Sequence, residues 1–201
     1  MTTLDLFEQP NTMNILTLNL DTVHLTDDQF YQLCQRNRDW QFELSATGEL
    51  LVMSPVGGES GNKEASLITD VEIWNRQTKL GYVFSSSTIF KLPNGANRSP
   101  DVAWIRKDRW EALTLEQRRK FPPIAPDFVI ELRSATDALE PLQIKMQEYM
   151  SSGVRLGWLI NLQDQQVEIY HIGQPIDIQP LPIELSGEDV LPNFSLDLAE
   201  L

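Results

Sequence analysis

The chain has 201 residues, 41% of them hydrophobic and 22% charged, with a formal net charge of -13. That length suits one domain with a core of its own, and the acidity argues against broad, non-specific nucleic-acid binding. The lone Cys34 excludes an internal disulfide and fits a reducing compartment, while no run reaches the apolar length of a membrane span.

The opening Met1-Thr-Thr-Leu-Asp-Leu-Phe-Glu lacks a basic region followed by an apolar one, so it does not read as a signal peptide. His24 and His171 show no zinc-ligand spacing. A cytoplasmic, membrane-free protein is the expectation.

Residues 1–25 have no clear period before the first cap and are expected to form an N-terminal arm, ordered in part by Leu16, Leu18 and Leu20. Thr26 followed by Asp27-Asp28-Gln29 has the form of a helix N-cap with acids in the first turn, predicting a helix to about Asn37 that buries Phe30, Leu33 and Cys34. Trp40 to Leu44 alternates, Ala46-Thr-Gly-Glu turns, and Glu49-Leu-Leu-Val-Met follows, which is a β-hairpin. After a glycine-rich loop, a helix from about residues 60–62 to Lys79 carries Ala65, Leu67, Ile68, Val71, Ile73 and Trp74 on its apolar side.

Strands are predicted at Tyr82–Ser85, Thr88–Leu92 and Val102–Ile105, the last reached through the turn-rich stretch 93–100. Residues 107–120 read as short helices broken near Leu113-Thr114. Phe121-Pro-Pro-Ile-Ala-Pro is extended, because residues before proline avoid the helical region. Asp127–Arg133 is the central strand, and a helix from about Leu139 to Ser152 ends at Gly153. Arg155–Asn161 is a buried strand, Gln166–His171 pairs back on it, and one or two peripheral strands follow, ending near Leu198. The core spans about residues 40–172 of a single domain covering 1–201. Strands mixed with helices on both sides suggest an α/β sandwich around a mixed sheet.

Two apolar, strand-prone runs each carry a carboxylate. Asp101 stands at the mouth of Ser99-Pro-Asp-Val-Ala-Trp-Ile, and Glu131 lies inside Pro126-Asp-Phe-Val-Ile-Glu-Leu-Arg. A carboxylate in so apolar a strand has to be paired, protonated or metal-bound. If neighbouring strands bring Asp101 and Glu131 together, a hard cation such as Mg²⁺ or Mn²⁺ is the fitting ligand. Glu64 on the first long helix is either an exposed acid favouring the helix dipole or a further carboxylate near that metal. For Glu131 the competing reading is a buried ion pair with Arg133 or Lys145. Residues 91–120 hold eight of the sixteen basic residues, a local balance of +4. They are either a solvated surface or the place where a phosphate backbone lies.

These motifs, with Lys145-Met-Gln-Glu-Tyr and Gly157-Trp-Leu-Ile-Asn, resemble the Uma2 family (DUF820). Its members are restriction-endonuclease-like proteins of the PD-(D/E)XK nuclease superfamily, common in cyanobacteria. The resemblance runs from about Trp40 to Leu198. It implies a restriction-endonuclease-like α+β fold and a metal-dependent endonuclease acting on nucleic acid, most naturally DNA, with a homodimer as the assembly. It also implies that Asp101 and Glu131 bind the metal, that the backbone carbonyl of Leu132 adds a ligand, and that Glu64, or Glu59 in the preceding loop, supplies a further acid.

The superfamily's lysine two residues after the glutamate is here Arg133, which stays charged and cannot readily act as a base. Lys145 on the following helix is the candidate replacement. Arg133, Arg98 and Arg106 are candidates for holding the nucleic-acid backbone, and Tyr149, one turn after Lys145, supports the site. Ser87 and Ser134 are candidate pocket residues. The rival class is a non-catalytic binding or interaction module on a degenerate nuclease fold, favoured by the missing lysine and the acidity. No glycine-rich phosphate loop supports a nucleotide-hydrolase alternative.

Overall fold

The computed structural model describes residues 15–20 and 22–201. Its elements run β1(Ile15–Asn19), α1(Asp27–Arg36), β2(Gln41–Leu44), β3(Glu49–Met53), α2(Gly58–Thr78), β4(Gly81–Ser85), β5(Phe90–Lys91), β6(Asn97–Arg98), β7(Val102–Arg106), α3(Lys107–Glu111), α4(Leu115–Arg119), β8(Phe128–Leu132), α5(Leu139–Ser151), β9(Leu156–Asn161), β10(Gln166–His171), β11(Asp177–Pro180), β12(Glu184–Ser186) and β13(Ser195–Asp197). A six-stranded mixed sheet has the order β11-β10-β9-β8-β7-β4, and a five-stranded sheet has the order β1-β3-β2-β6-β5. In the larger sheet β8 and β9 are parallel while β7 and β8 are antiparallel. Parallel neighbours need a long crossover, and α5 is that crossover.

Strand alternation sorts the core into two faces. Val102, Trp104, Phe128, Ile130 and Trp158 pack beneath α2 with Leu67, Val71 and Trp74. Ala103, Ile105, Val129 and Leu159 pack beneath α5 with Met146, Tyr149 and Met150. Every residue of β8 is buried, Glu131 included, as a strand covered on both faces requires. Gly157 on β9 lets α5 sit close: a Cβ there would stand 2.6 Å from Met146 Cε and 3.3 Å from Val129 Cγ2. Thr26 caps α1 in a full capping box with Gln29. Phe30 on α1 packs with Phe42, Leu50 and Ile89 over the smaller sheet.

Four expectations change. Residues 15–19 of the expected arm form β1, which pairs antiparallel with β3; the arm's residues 1–14 and 21 lie outside the described residues. Helix α2 begins at Gly58, so Glu59 belongs to its first turn rather than to the preceding loop. The strand expected over 88–92 shortens to Phe90–Lys91. The C-terminal strands number three. Of these, β11 extends the large sheet, while Leu185 and Leu196 of the β12–β13 hairpin enter the core beneath α2. Among the described residues no helix is long and apolar enough to cross a membrane.

Candidate active site

The β7–β8 register pairs Val102 with Ile130, Ala103 with Val129 and Trp104 with Phe128. One step further, the same register sets Asp101 opposite Glu131. Ala103 and Val129 face α5, and side chains alternate, so Asp101 and Glu131 share that face. The amide of Leu132 donates to Asp101 Oδ2 at 2.7 Å, which locks the start of β7 onto the end of β8.

Helix α5 supplies the groups that meet this pair. Lys145 and Tyr149, one turn apart on the same stripe, both reach Glu131 Oε1, the ammonium at 2.9 Å and the donating phenol at 2.9 Å. Lys145 Nζ also stands 2.9 Å from Glu43 Oε1 and donates to the Ser99 carbonyl at 3.3 Å. Glu43 is held in turn by the Ser99 amide at 2.8 Å and by Arg98 Nη1 at 3.0 Å. Arg98 Nε continues the chain of charges to Glu148 on α5. Glu64, from α2, accepts from the Ser86 hydroxyl.

The electrostatics are lopsided. Burial, then the like charge of Glu131, pushes the Asp101 carboxyl well above its ordinary range, with Glu64 adding to the rise against Lys145 and the Leu132 amide. Burial also raises Glu131, and Glu43 adds to it, while Lys145 and Tyr149 act against them. Glu43 goes the other way: burial would raise it, but Lys145 and Arg98 hold it below the usual carboxylate value. Lys145 is raised because Glu131, Glu43 and Asp101 outweigh its burial, so it stays an ammonium. Burial and Glu131 likewise hold the Tyr149 phenol protonated.

Asp101, Glu131, Lys145 and Tyr149 therefore come together, with Glu64 close enough to act on Asp101. Glu59 does not join them; its exposed carboxylate pairs with Lys63 at 2.9 Å. Arg98 is 8% exposed and closed between Glu43 and Glu148, so its expected place on a nucleic-acid face is corrected to a buried brace. Arg133 turns to Asp164 at 2.7 Å, Asn161 and the Asp137 carbonyl, away from Glu131. Arg106 remains half-exposed and paired with Asp108. Ser87 is exposed, and Ser134 lines a separate groove with Leu132 and Arg133.

Glu43 is the residue that sequence reasoning missed. Alternation in Gln41-Phe-Glu-Leu puts Phe42 and Glu43 on opposite faces, yet both are buried because α1 covers one face and Lys145 and Arg98 the other. No local signal marks a strand covered on both sides when its second cover comes from residues as distant in sequence as Arg98 and Lys145.

Asp101 Oδ1 and Glu131 Oε2 accept no hydrogen bond among the described residues. Two adjacent carboxylates with open oxygens, both raised in pKa, form a donor set suited to Mg²⁺, which takes one or two carboxylates and keeps several waters. Among the described residues no cluster of three or more His, Cys, Asp or Glu side chains is arranged to hold a metal, so water or main chain would complete any such coordination.

A mixed sheet carrying facing acids at the start of one strand and the end of the next, with helices on both sides, is a restriction-endonuclease-like arrangement. One crystal structure similar to it is that of a protein from Anabaena variabilis ATCC 29413 described as a putative nuclease belonging to DUF820. That structure superposes with a TM-score of 0.71 over 88% of this chain and 97% of the other, at 17% identity, a level at which the likeness concerns the fold. The family model Uma2, described as "Putative restriction endonuclease", matches residues 27–199. The chain belongs to the Uma2 family. No curated protein matches it.

Proposed function

We propose that this protein is a metal-dependent endonuclease that hydrolyses phosphodiester bonds in nucleic acid, most naturally DNA. The observation that carries the reading is the facing pair Asp101 and Glu131 with the Lys145 ammonium 2.9 Å from Glu131. Asp101 Oδ1, Glu131 Oε2 and the Leu132 carbonyl would hold Mg²⁺ or Mn²⁺, with Glu64 the nearest further acid. A divalent cation bound there lowers the pKa of water and polarises a phosphoryl oxygen. Lys145 replaces the lysine that Arg133 displaces. Held as an ammonium, it offsets charge developing on the phosphate and orients the attacking water rather than taking its proton. Tyr149 and Glu43 fix the position of Lys145 and Glu131, and Arg98 fixes Glu43. Lone Cys34 supports a cytoplasmic setting, and a homodimer would let an acidic chain present two sites to one duplex.

The rival reading, a non-catalytic binding module, draws on one observation: Lys145 is already closed between two glutamates, as in a static structural network. Cleavage of supercoiled plasmid and single-stranded DNA with Mg²⁺ or Mn²⁺ separates the two. The nuclease reading expects cleavage by the wild type and loss of at least about a hundredfold in Asp101→Ala and in Lys145→Ala. Undiminished cleavage by purified Asp101→Ala would overturn the site, and an inert wild type would leave the binding module.

A further inference from the structure

Helix α2 carries glutamates of two kinds. Glu59 and Glu72 pair with Lys63 and Arg76 four residues on, as surface helix acids do. Glu64 has Ile68 at that place and is half-buried, and among the described residues it forms no ion pair. Its carboxylate accepts from the Ser86 hydroxyl instead. A half-buried carboxylate held by a neutral donor leaves its charge for something else to balance.

Ser86 is tied to the strands that carry the site. The β4–β7 register ends with Ser85 opposite Val102. The next pair along is Ser86 and Asp101, and Asp101 in turn faces Glu131. The Cα atoms of such antiparallel partners lie about 4.5–5.5 Å apart. The Thr88 amide donates to the Ser85 carbonyl at 2.9 Å and closes the turn around Ser86. The Ser86 carbonyl accepts from Gln41 Nε2 and from the Ser99 hydroxyl. Gln41 lies two residues before Glu43 on β2, and so on its face of the strand. Ser99 lies two residues before Asp101, and its carbonyl and amide bind Lys145 and Glu43. With its backbone held in this way, Ser86 keeps one side-chain torsion, and its hydroxyl has one hydrogen to give. Glu64, with three torsions, takes its aim from that hydroxyl. It is near enough to act on Asp101 electrostatically.

We propose that Ser86 is a positioning residue, which holds the Glu64 carboxylate beside Asp101 so that Glu64 serves the divalent cation there. Mg²⁺ keeps several waters when one or two carboxylates bind it. Glu64 holds such a water and adds its charge, while Asp101 and Glu131 remain the coordinating pair. Groups placed in this way behind the ligands set metal affinity strongly. The inference rests on the nuclease reading for the cation, but its primary readout is metal affinity rather than cleavage.

The test is calorimetric Mn²⁺ titration of the wild type, Ser86→Ala, Ser86→Thr, Glu64→Gln and the double variant Ser86→Ala/Glu64→Gln, with thermal melts of each. Ser86→Ala is expected to weaken Mn²⁺ binding about tenfold with a Tm drop of no more than about 4 °C. Ser86→Thr keeps the hydroxyl and should stay within about threefold of the wild type. Glu64→Gln should lose as much as Ser86→Ala, and the double variant no more than either, because both remove the same carboxylate from its place. Wild-type affinity in Ser86→Ala or in Glu64→Gln, an additive double variant, or no rescue by a folded Ser86→Thr overturns the role of Ser86. A wild type without saturable Mn²⁺ binding overturns it together with the metal site. Hydroxyl-dependent Mn²⁺ binding without any cleavage keeps Ser86 and sinks the nuclease; cleavage with Mn²⁺ binding indifferent to Ser86 does the reverse.

Discussion

Asp101 is the residue that works against the fold. Its carboxyl faces Glu131, and its pKa lies well above the ordinary range because of burial and that neighbour. A carboxyl raised in the folded state keeps its proton longer there than in the unfolded chain. Its contribution to stability is therefore complete below the unfolded pKa and is lost as pH rises through the folded one. Glu131 has the same sign, and Glu43, depressed by Lys145 and Arg98, the opposite. The metal-free protein should thus lose stability as pH climbs out of the ordinary carboxylate range. Asp101→Asn keeps the acceptor for the Leu132 amide and removes the charge. It should raise stability at neutral pH by about 1 kcal/mol, a Tm gain of roughly 2–4 °C in thermal melts, and flatten the pH profile. A lower Tm would mean that Asp101 is a structural partner first. Asp101 and Glu131 were both legible in the sequence, since charge interrupts apolar strand patterns there. Glu43 was not, because its burial depends on two long-range cations.

Helix α5 and strand β8 were legible as elements, from a helix ended by Gly153 and an apolar run broken only by Glu131. Their mutual spacing was not. It depends on Gly157, where any side chain would press on Met146, Met150 and Val129. Lys145 and Tyr149 share α5 with those methionines, so the distance from helix to sheet sets how the ammonium meets Glu131. Gly157→Ala should cost about 1–3 kcal/mol by overpacking, and the same shift should lower cleavage more than metal affinity, because Asp101 and Glu131 stay on the sheet. Calorimetric Mn²⁺ titration beside the cleavage assay reads both; equal loss of the two would place the damage in the sheet. The β12–β13 hairpin was the least legible element, its short apolar pairs giving no period long enough to show that Leu185 and Leu196 enter the core.

Across the whole molecule, the basic stretch 91–120 left two readings open in the sequence, a solvated surface or a phosphate track. Folding spends most of it internally. Lys91 pairs with Asp27, Arg98 with Glu43 and Glu148, Arg106 with Asp108, Lys107 with Glu111, Arg109 with Asp127 and Lys120 with Asp28, while Arg118 bonds main-chain carbonyls. Composition gives the charges but not their partners, which lie mostly on distant elements. Few phosphates should therefore be neutralised on binding. The slope of log affinity against log salt should be no steeper than about -3, whereas eight contacts would give about -7 on duplex DNA. A steep slope in a salt titration would return the basic stretch to the nucleic-acid face.

The central claim is that Asp101 and Glu131 together hold a divalent cation, and a calorimetric Mn²⁺ titration of the wild type beside Asp101→Asn and Glu131→Gln tests it most directly. One saturable site in the wild type, weakened at least about tenfold by each substitution, is the predicted result. No saturable binding, or binding untouched by both substitutions, would contradict it.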